Sequence, residues 1–292
     1  MAEEPTPVPA NYLDWSDKGK ASFWRYAVGT ALAVVVFYFF SGMLVVPYTI
    51  LFPDYQKSLI LSTVGLLLTF LITFIAIPTI VRVVHKRPWW SVAMPALRFR
   101  AWDFFTGLWV AFAVAVLTAL LFHATGTMPI LRNPEFDLAA LLVLAVVGLV
   151  GIFIQAGAEE LLYRGYFTQF ARRFTSNPIL FLGIPALLFA APHVSNIASL
   201  GGGPLVMVPY LISGLLYGWA AYRSGSLWMS VALHLVNNYT GLVLVGTKGD
   251  ALPSAAPLLI ASPSLPAGTL GVLVQSALIA VALQLLMKRS GR

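Results

Sequence analysis

Three short stretches of this chain place ionisable or amide side chains in otherwise apolar surroundings. The first is QAGAEELLYRGYF, residues 155–167, where Glu159 and Glu160 are followed by Arg164. On a helix, Glu160 and Arg164 lie one turn apart with the acid N-terminal, the orientation that favours an ion pair. Glu159 then points about 100° further around the helix. The arginine neutralises one carboxylate and leaves Glu159 with no partner from this helix. An ion pair that ends a membrane span at its surface accounts for Glu160 and Arg164 equally well. The second stretch is LLFAAPHVSN, residues 187–196, in which His193 closes an apolar run four residues after Phe189. The third is GSLWMSVALHLVNNY, residues 225–239, with His234 and Asn238 four apart on one helix face. A carboxylate, two imidazoles and a carboxamide that converge can activate a water and steady an oxyanion, the requirements of amide hydrolysis. An interhelical hydrogen-bond pair would also explain His234 and Asn238. Asn237 lies off that face, and His85, His123 and Gln155 carry no chemical argument of their own.

The elements that must position these groups are set by composition. Of the 292 residues 59% are hydrophobic and only 10% charged, against about 25% charged in an ordinary soluble domain, and mean hydropathy is +0.84. Such a chain cannot cover its own surface with polar groups. This excludes a soluble globular enzyme, a disordered protein and a nucleic-acid-binding protein. Cysteine is absent, which removes disulfides, thiol nucleophiles and thiolate metal sites.

A helix needs about 20 apolar residues to cross a bilayer. On that scale eight spans are expected, near 27–47, 59–81, 104–123, 138–160, 178–193, 205–222, 226–246 and 268–287. Their boundaries are marked by Pro53, His85-Lys86-Arg87-Pro88, Asn133-Pro134, Asn177-Pro178, the run Gly201 to Pro204 and the run Ser262 to Pro266. The apolar runs do not alternate, so they read as helices rather than barrel strands. The expected fold is an all-α polytopic membrane protein. It divides into a polar, proline-rich tail (1–20), helices 1–3 with their loops (21–137), a core of helices 4–7 (138–246), and a loop with the last helix (247–292). With eight spans, fifteen of the eighteen lysines and arginines fall on the side of the termini, and only Lys57, Arg132 and Lys248 fall opposite. By the positive-inside rule both termini are cytoplasmic, so the net charge of +7 reports orientation. Trp89, Trp90 and Trp102 suit the interfacial belt.

Glu-Glu-x-x-x-Arg at 159–164, Phe-x-x-x-His at 189–193 and His-x-x-x-Asn at 234–238 together resemble the three motifs of the CAAX protease and bacteriocin-processing (CPBP) intramembrane endopeptidases. The stretch GLLYGWAAYRSGSLWMSVALHLVNN is similar to that family between its second and third motifs. The resemblance covers residues 159–238. It implies an intramembrane protease in which Glu159, helped by His193, activates water, His234 and Asn238 stabilise the tetrahedral oxyanion, and Glu160 and Arg164 support the site. It also implies a membrane-anchored protein or peptide substrate, no nucleic acid, and a location in the plasma or inner membrane with the site toward the cytoplasmic half. A metal-independent reaction is the expected mechanism. A zinc site held by Glu159, His193 and His234 is the alternative, in which Glu160 would be left as the base.

Other membrane proteases fit less well. No histidine is followed by Glu, so the His-Glu-x-x-His of zinc site-2 enzymes is absent. Ser213-Gly214 lacks the earlier glycine of rhomboid-type enzymes. Asp54, Asp103, Asp137 and Asp250 lie near span ends or in loops rather than paired within spans. A non-catalytic scaffold or immunity factor that holds a peptide is the competing function. A transporter is disfavoured by the lack of an internal repeat. The eight-span map also sets a structural demand. It puts Glu159 at the cytoplasmic end of span four and His193 at the far end of span five, so the two meet only if helix four runs on past Arg164 or span five extends through 194–200.

Overall fold

The computed structural model describes residues 9–55, 58–134, 136–197, 203–247, 258–261 and 264–290. Lys57, Lys248, Asp250, Arg292, Gly201, Gly202, Ser262, Pro263 and the first eight residues of the expected tail lie outside them.

Eight of the α-helices among the described residues form the bundle. They are α1 (Phe23–Val35), α2 (Leu59–Val84), α3 (Ala101–Ala124), α4 (Leu138–Glu159), α5 (Pro178–Ala190), α6 (Val208–Ser224), α7 (Trp228–Tyr239) and α8 (Leu265–Arg289). Local sequence sets their ends. Asp137 caps α4 by accepting from the Ala139 N–H at 2.8 Å, and Asn177 caps α5 by accepting from Ile179 at 2.9 Å. Gly225 closes α6 in the left-handed conformation at φ 76°, which a residue with a Cβ adopts only under strain. Among the described residues the sheet content is one small patch, β1 (Ile130–Arg132), β2 (Val245–Thr247) and β3 (Leu259–Ala261). Its order is β1-β3-β2, with β1 antiparallel and β2 parallel to β3.

Among the described residues seven helical segments are long and apolar enough to cross a membrane: 23–51, 60–84, 101–124, 138–172, 178–195, 203–224 and 265–289. The chain is an all-α polytopic membrane protein. The segment expected as the remaining span, 226–246, does form a helix, α7, continued by a π-helical turn at Thr240–Leu244. It is enclosed by protein rather than by lipid, since Met229 through Val236 are all buried. Gly107 on α3 lets α7 approach closely, because a Cβ there would sit 2.9 Å from the Met229 carbonyl oxygen.

Three features depart from the sequence reading. The helix begun at Leu138 does not stop near 160. It runs on through a π-helical segment, Glu160–Phe167, and a last α turn to Arg172. This is the continuation past Arg164 that the eight-span map required. Arg164 and Arg87, read as interfacial charges, are 1% and 4% exposed, and they are held by buried partners instead of by headgroups. Residues 11–20, expected within a free tail, dock on the bundle. Tyr12 is fully buried and accepts at its carbonyl from Gln169 Nε2 at 2.9 Å. Tyr26 donates to the Ser16 carbonyl at 3.0 Å, and Arg173 pairs with Asp17 at 2.6 Å.

Candidate active site

The site forms where the π-helical end of α4 meets α5, α6 and α7. A π-helical turn is uncommon and recurs at functional positions, and here it carries both Glu160 and Arg164. Arg164 Nη1 donates to Glu160 Oε1 at 2.9 Å, and Nη2 donates to the Gly214 carbonyl on α6 at 3.3 Å. The guanidinium also lies over the rings of Phe189 (4.1 Å) and Tyr217 (5.2 Å), which adds cation–π stabilisation to a buried charge. Glu160 is fully buried, so this ion pair is the condition for its charge to exist there.

His234 reaches from α7 between the two carboxylates. Its Nδ1 is 2.9 Å from Glu160 Oε1, and its Nε2 is 3.4 Å from Glu159 Oε2. Neighbouring side chains on a helix diverge by about 100°. That divergence lets the two acids straddle one imidazole, whose nitrogens face opposite ways. Tyr217 stacks on the same ring, with centroids 5.0 Å apart and planes at 23°. Asn238, one turn on, donates from Nδ2 to Gln155 Oε1 at 2.8 Å and approaches His234 Nε2 at 3.1 Å. If the carboxamide donates to Nε2, the ring proton sits on Nδ1 and is given to Glu160.

Glu159, Glu160, Arg164, His234 and Asn238 thus form one network, with Gln155 as a sixth member. Gln155 is 5% exposed. Its signal in the sequence was its place four residues before Glu159, in a run that is otherwise apolar or small. His193 stands beside the network rather than in it. Its Nδ1 donates to the Phe189 carbonyl at 3.0 Å, and its ring stacks on Tyr210 at 4.0 Å between centroids. Phe189 connects the two imidazoles, with its ring 5.4 Å from that of His193 and 5.8 Å from that of His234. A neutral His193 that donates from Nδ1 keeps its lone pair on Nε2. Among the described residues His193 makes no hydrogen bond or ion pair with either glutamate. Nor is any group of three His, Asp or Glu among them arranged to hold a metal ion.

The network is braced from the N-terminal side. Tyr12 donates from its hydroxyl to the Arg164 main-chain carbonyl at 2.9 Å. Burial raises the Tyr12 pKa, so the hydroxyl keeps the proton it donates. Tyr12 and Tyr217 had no distinguishing spacing in the sequence, because their partners lie far along the chain.

The fold is a polytopic helical bundle in which buried Glu159, Glu160 and His234 meet a half-buried Asn238. Residues 139–240 match the family model "Type II CAAX prenyl endopeptidase Rce1-like", and this segment is an Rce1-like domain of the CPBP family. The chain is also 26% identical over 234 residues to "Uncharacterized protein YyaK" of Bacillus subtilis (strain 168), a match covering 76% of this chain and 77% of that protein. No solved structure matches at a significant level.

Proposed function

We infer that the protein is an intramembrane endopeptidase that cuts a peptide bond in a membrane-associated or peptide substrate. The observation that carries this reading is a buried imidazole, His234, flanked by Glu160 at 2.9 Å and Glu159 at 3.4 Å, inside a domain of a membrane protease family. A fixed ion pair with Arg164 leaves Glu160 as a structural anion. Glu159, which has no arginine of its own, is the carboxylate suited to move a proton.

In the reaction Glu159 takes a proton from a water, and the resulting hydroxide adds to the scissile carbonyl carbon. His193 orients that water through the lone pair on Nε2. The tetrahedral oxyanion accepts a hydrogen bond from Asn238 Nδ2, freed by a small rotation away from Gln155, and from His234 Nε2, which donates only when that nitrogen carries a proton in addition to the one Nδ1 gives to Glu160. Glu159 returns the proton to the leaving nitrogen as the C–N bond breaks, giving a carboxylic acid and an amine. The residues present supply base, acid and donors, so the reaction is metal-independent. The site opens toward the cytoplasmic half of the plasma or inner membrane, the side on which the basic residues concentrate. The direct test is turnover of a fluorogenic membrane peptide by the purified chain against Glu159→Ala and His193→Ala. Large losses in both are expected, and equal turnover by all three removes the proposal.

One observation favours a second reading. Both ring nitrogens of His234 and the Nδ2 group of Asn238 already have partners within the protein. A closed network of this kind also suits a non-catalytic scaffold or immunity factor that only holds a peptide. That reading expects Glu159→Gln to keep full function, whereas a protease loses turnover.

A further inference from the structure

Beside the network lies a cavity of about 350 Å³ between α3, α6, α7 and α8, a size within the range of ligand pockets. Its wall toward the site includes Asn238 and Tyr217, the residues that touch His234. Ala111 and Ala115, one turn apart on α3, leave room on another side. The wall from α8 is Val272, Gln275, Ser276 and Ile279, whose three- and four-residue spacing makes one helix face.

Two of those residues need an explanation. Gln275 and Ser276 sit near the middle of a span, in GVLVQSALIAVAL, where polar groups cost free energy unless they are paired. Hydroxyls within spans can be satisfied by their own helix, as where Thr118 donates to the Val114 carbonyl at 2.8 Å and Thr79 donates to that of Ile75 at 2.8 Å, although the hydroxyls of Thr30 and Thr269 are buried without a partner among the described residues. Among the described residues neither Gln275 nor Ser276 has a side-chain hydrogen bond. Both face the cavity, opposite Asn237, whose carboxamide donates to Asn238 Oδ1 at 2.9 Å. No aspartate, glutamate, lysine, arginine or histidine among the described residues lines the cavity, so the ligand it suits is neutral and offers both donors and acceptors. A main-chain amide has that chemistry, and carboxamide side chains are its natural counterparts.

We propose that this cavity binds an uncharged, extended stretch of peptide through its main-chain amides, with Gln275, Ser276 and Asn237 as the groups that hold it. The proposal rests on the peptide-hydrolysis reading and names where the substrate lies. It also assigns a binding role to α8, which falls outside the residues 139–240 that define the family domain. Gln275 and Ser276 are positioning residues, since they hold the chain beside Asn238 and do not touch the reacting atoms.

The absence of cysteine makes a clean experiment available. In a Glu159→Gln background, so that nothing is consumed, a fluorescein-labelled pool of neutral 12-residue peptides is titrated onto the full chain in micelles and followed by anisotropy. Gln275→Leu with Ser276→Ala is expected to raise Kd about tenfold, the effect of two lost hydrogen bonds. Gln284→Leu, which alters an exposed carboxamide on the same helix, is expected to leave Kd unchanged. Ser276→Cys, the sole thiol of its variant, should be protected from maleimide by the peptides. Unchanged Kd in the double variant with an unchanged melting temperature overturns the proposal. So do equal losses in the Gln284→Leu control, no saturable binding by the parent, or loss of a co-purified phospholipid in place of peptide affinity. Turnover by the chain carrying Glu159 is measured in parallel. Cavity-dependent binding without turnover sinks the protease reading alone, and turnover with cavity-independent binding sinks this one alone.

Discussion

Tyr12 and Arg164 are 152 positions apart in sequence and are joined by a hydrogen bond of 2.9 Å, from the tyrosine hydroxyl to the arginine's main-chain carbonyl. The side chain of that same arginine holds Glu160. The N-terminal segment is therefore a brace on the π-helical turn that carries the candidate site. Tyr12→Phe removes the donor and with it this long-range hydrogen bond, a loss of about 0.5–1.5 kcal/mol. The expected outcome is a lower melting temperature with the fold retained. An unchanged melting temperature would show that the brace contributes nothing.

Arg164→Ala should be the most damaging single change outside the proposed base. It leaves Glu160 buried without its cation, at a cost of roughly 3–5 kcal/mol. Thermal unfolding in detergent, compared with Arg223→Ala at an exposed position, measures this. Similar small shifts in the two variants would mean that Glu160 is neutral in the folded protein.

His85 makes stability depend on pH. Burial first, and then the Arg87 charge, lower its pKa from 6.5 to about 4. Its ring is held by the Lys20 carbonyl and the Tyr166 hydroxyl. Between those values the unfolded chain binds a proton that the folded chain refuses. Stability from this group is thus complete above pH 6.5 and is lost as pH falls toward 4. About 2 kcal/mol should disappear between pH 7.5 and 5. Melting curves at the two pH values, with His85→Gln as the flattened comparison, test this, and an equal pH response in both proteins contradicts it.

Chelation separates the two mechanisms raised by the motif residues. Dialysis against EDTA or phenanthroline is expected to leave peptide turnover unchanged. Loss of turnover that zinc restores would assign Glu159, His193 and His234 to a metal and require another base.

Much of this architecture is legible in the sequence, because span-length apolar runs and a basic bias need no tertiary information. The three motif segments are also visible, since ionisable groups in apolar runs stand out. What stays hidden has a physical cause in each case. Arg164 reads as the end of a span because an isolated arginine belongs at a headgroup. It is buried because Glu160, Phe189 and Tyr217, from three segments, surround it. The π-helical run 160–167 has no periodicity that separates it from an α-helix. Helix α7 reads as one span among eight, yet enclosure by its neighbours rather than composition defines its place. The polar composition of residues 11–20 suggests a free tail, and only tertiary contacts, such as Tyr12 with Gln169 and Lys20 with His85, show that it is part of the bundle. Gln155 is a lone amide in sequence and gains meaning only beside Asn238.

The most direct measurement is the initial rate of peptide cleavage, followed by mass spectrometry of the products, for the wild-type chain and Glu159→Gln in the same lipid. The amide keeps the shape and the hydrogen-bonding capacity of the acid but cannot take the proton from water. A rate loss of about 10²–10⁴-fold, with the melting temperature preserved, is the expected result. Cleavage by Glu159→Gln at the wild-type rate would contradict the account.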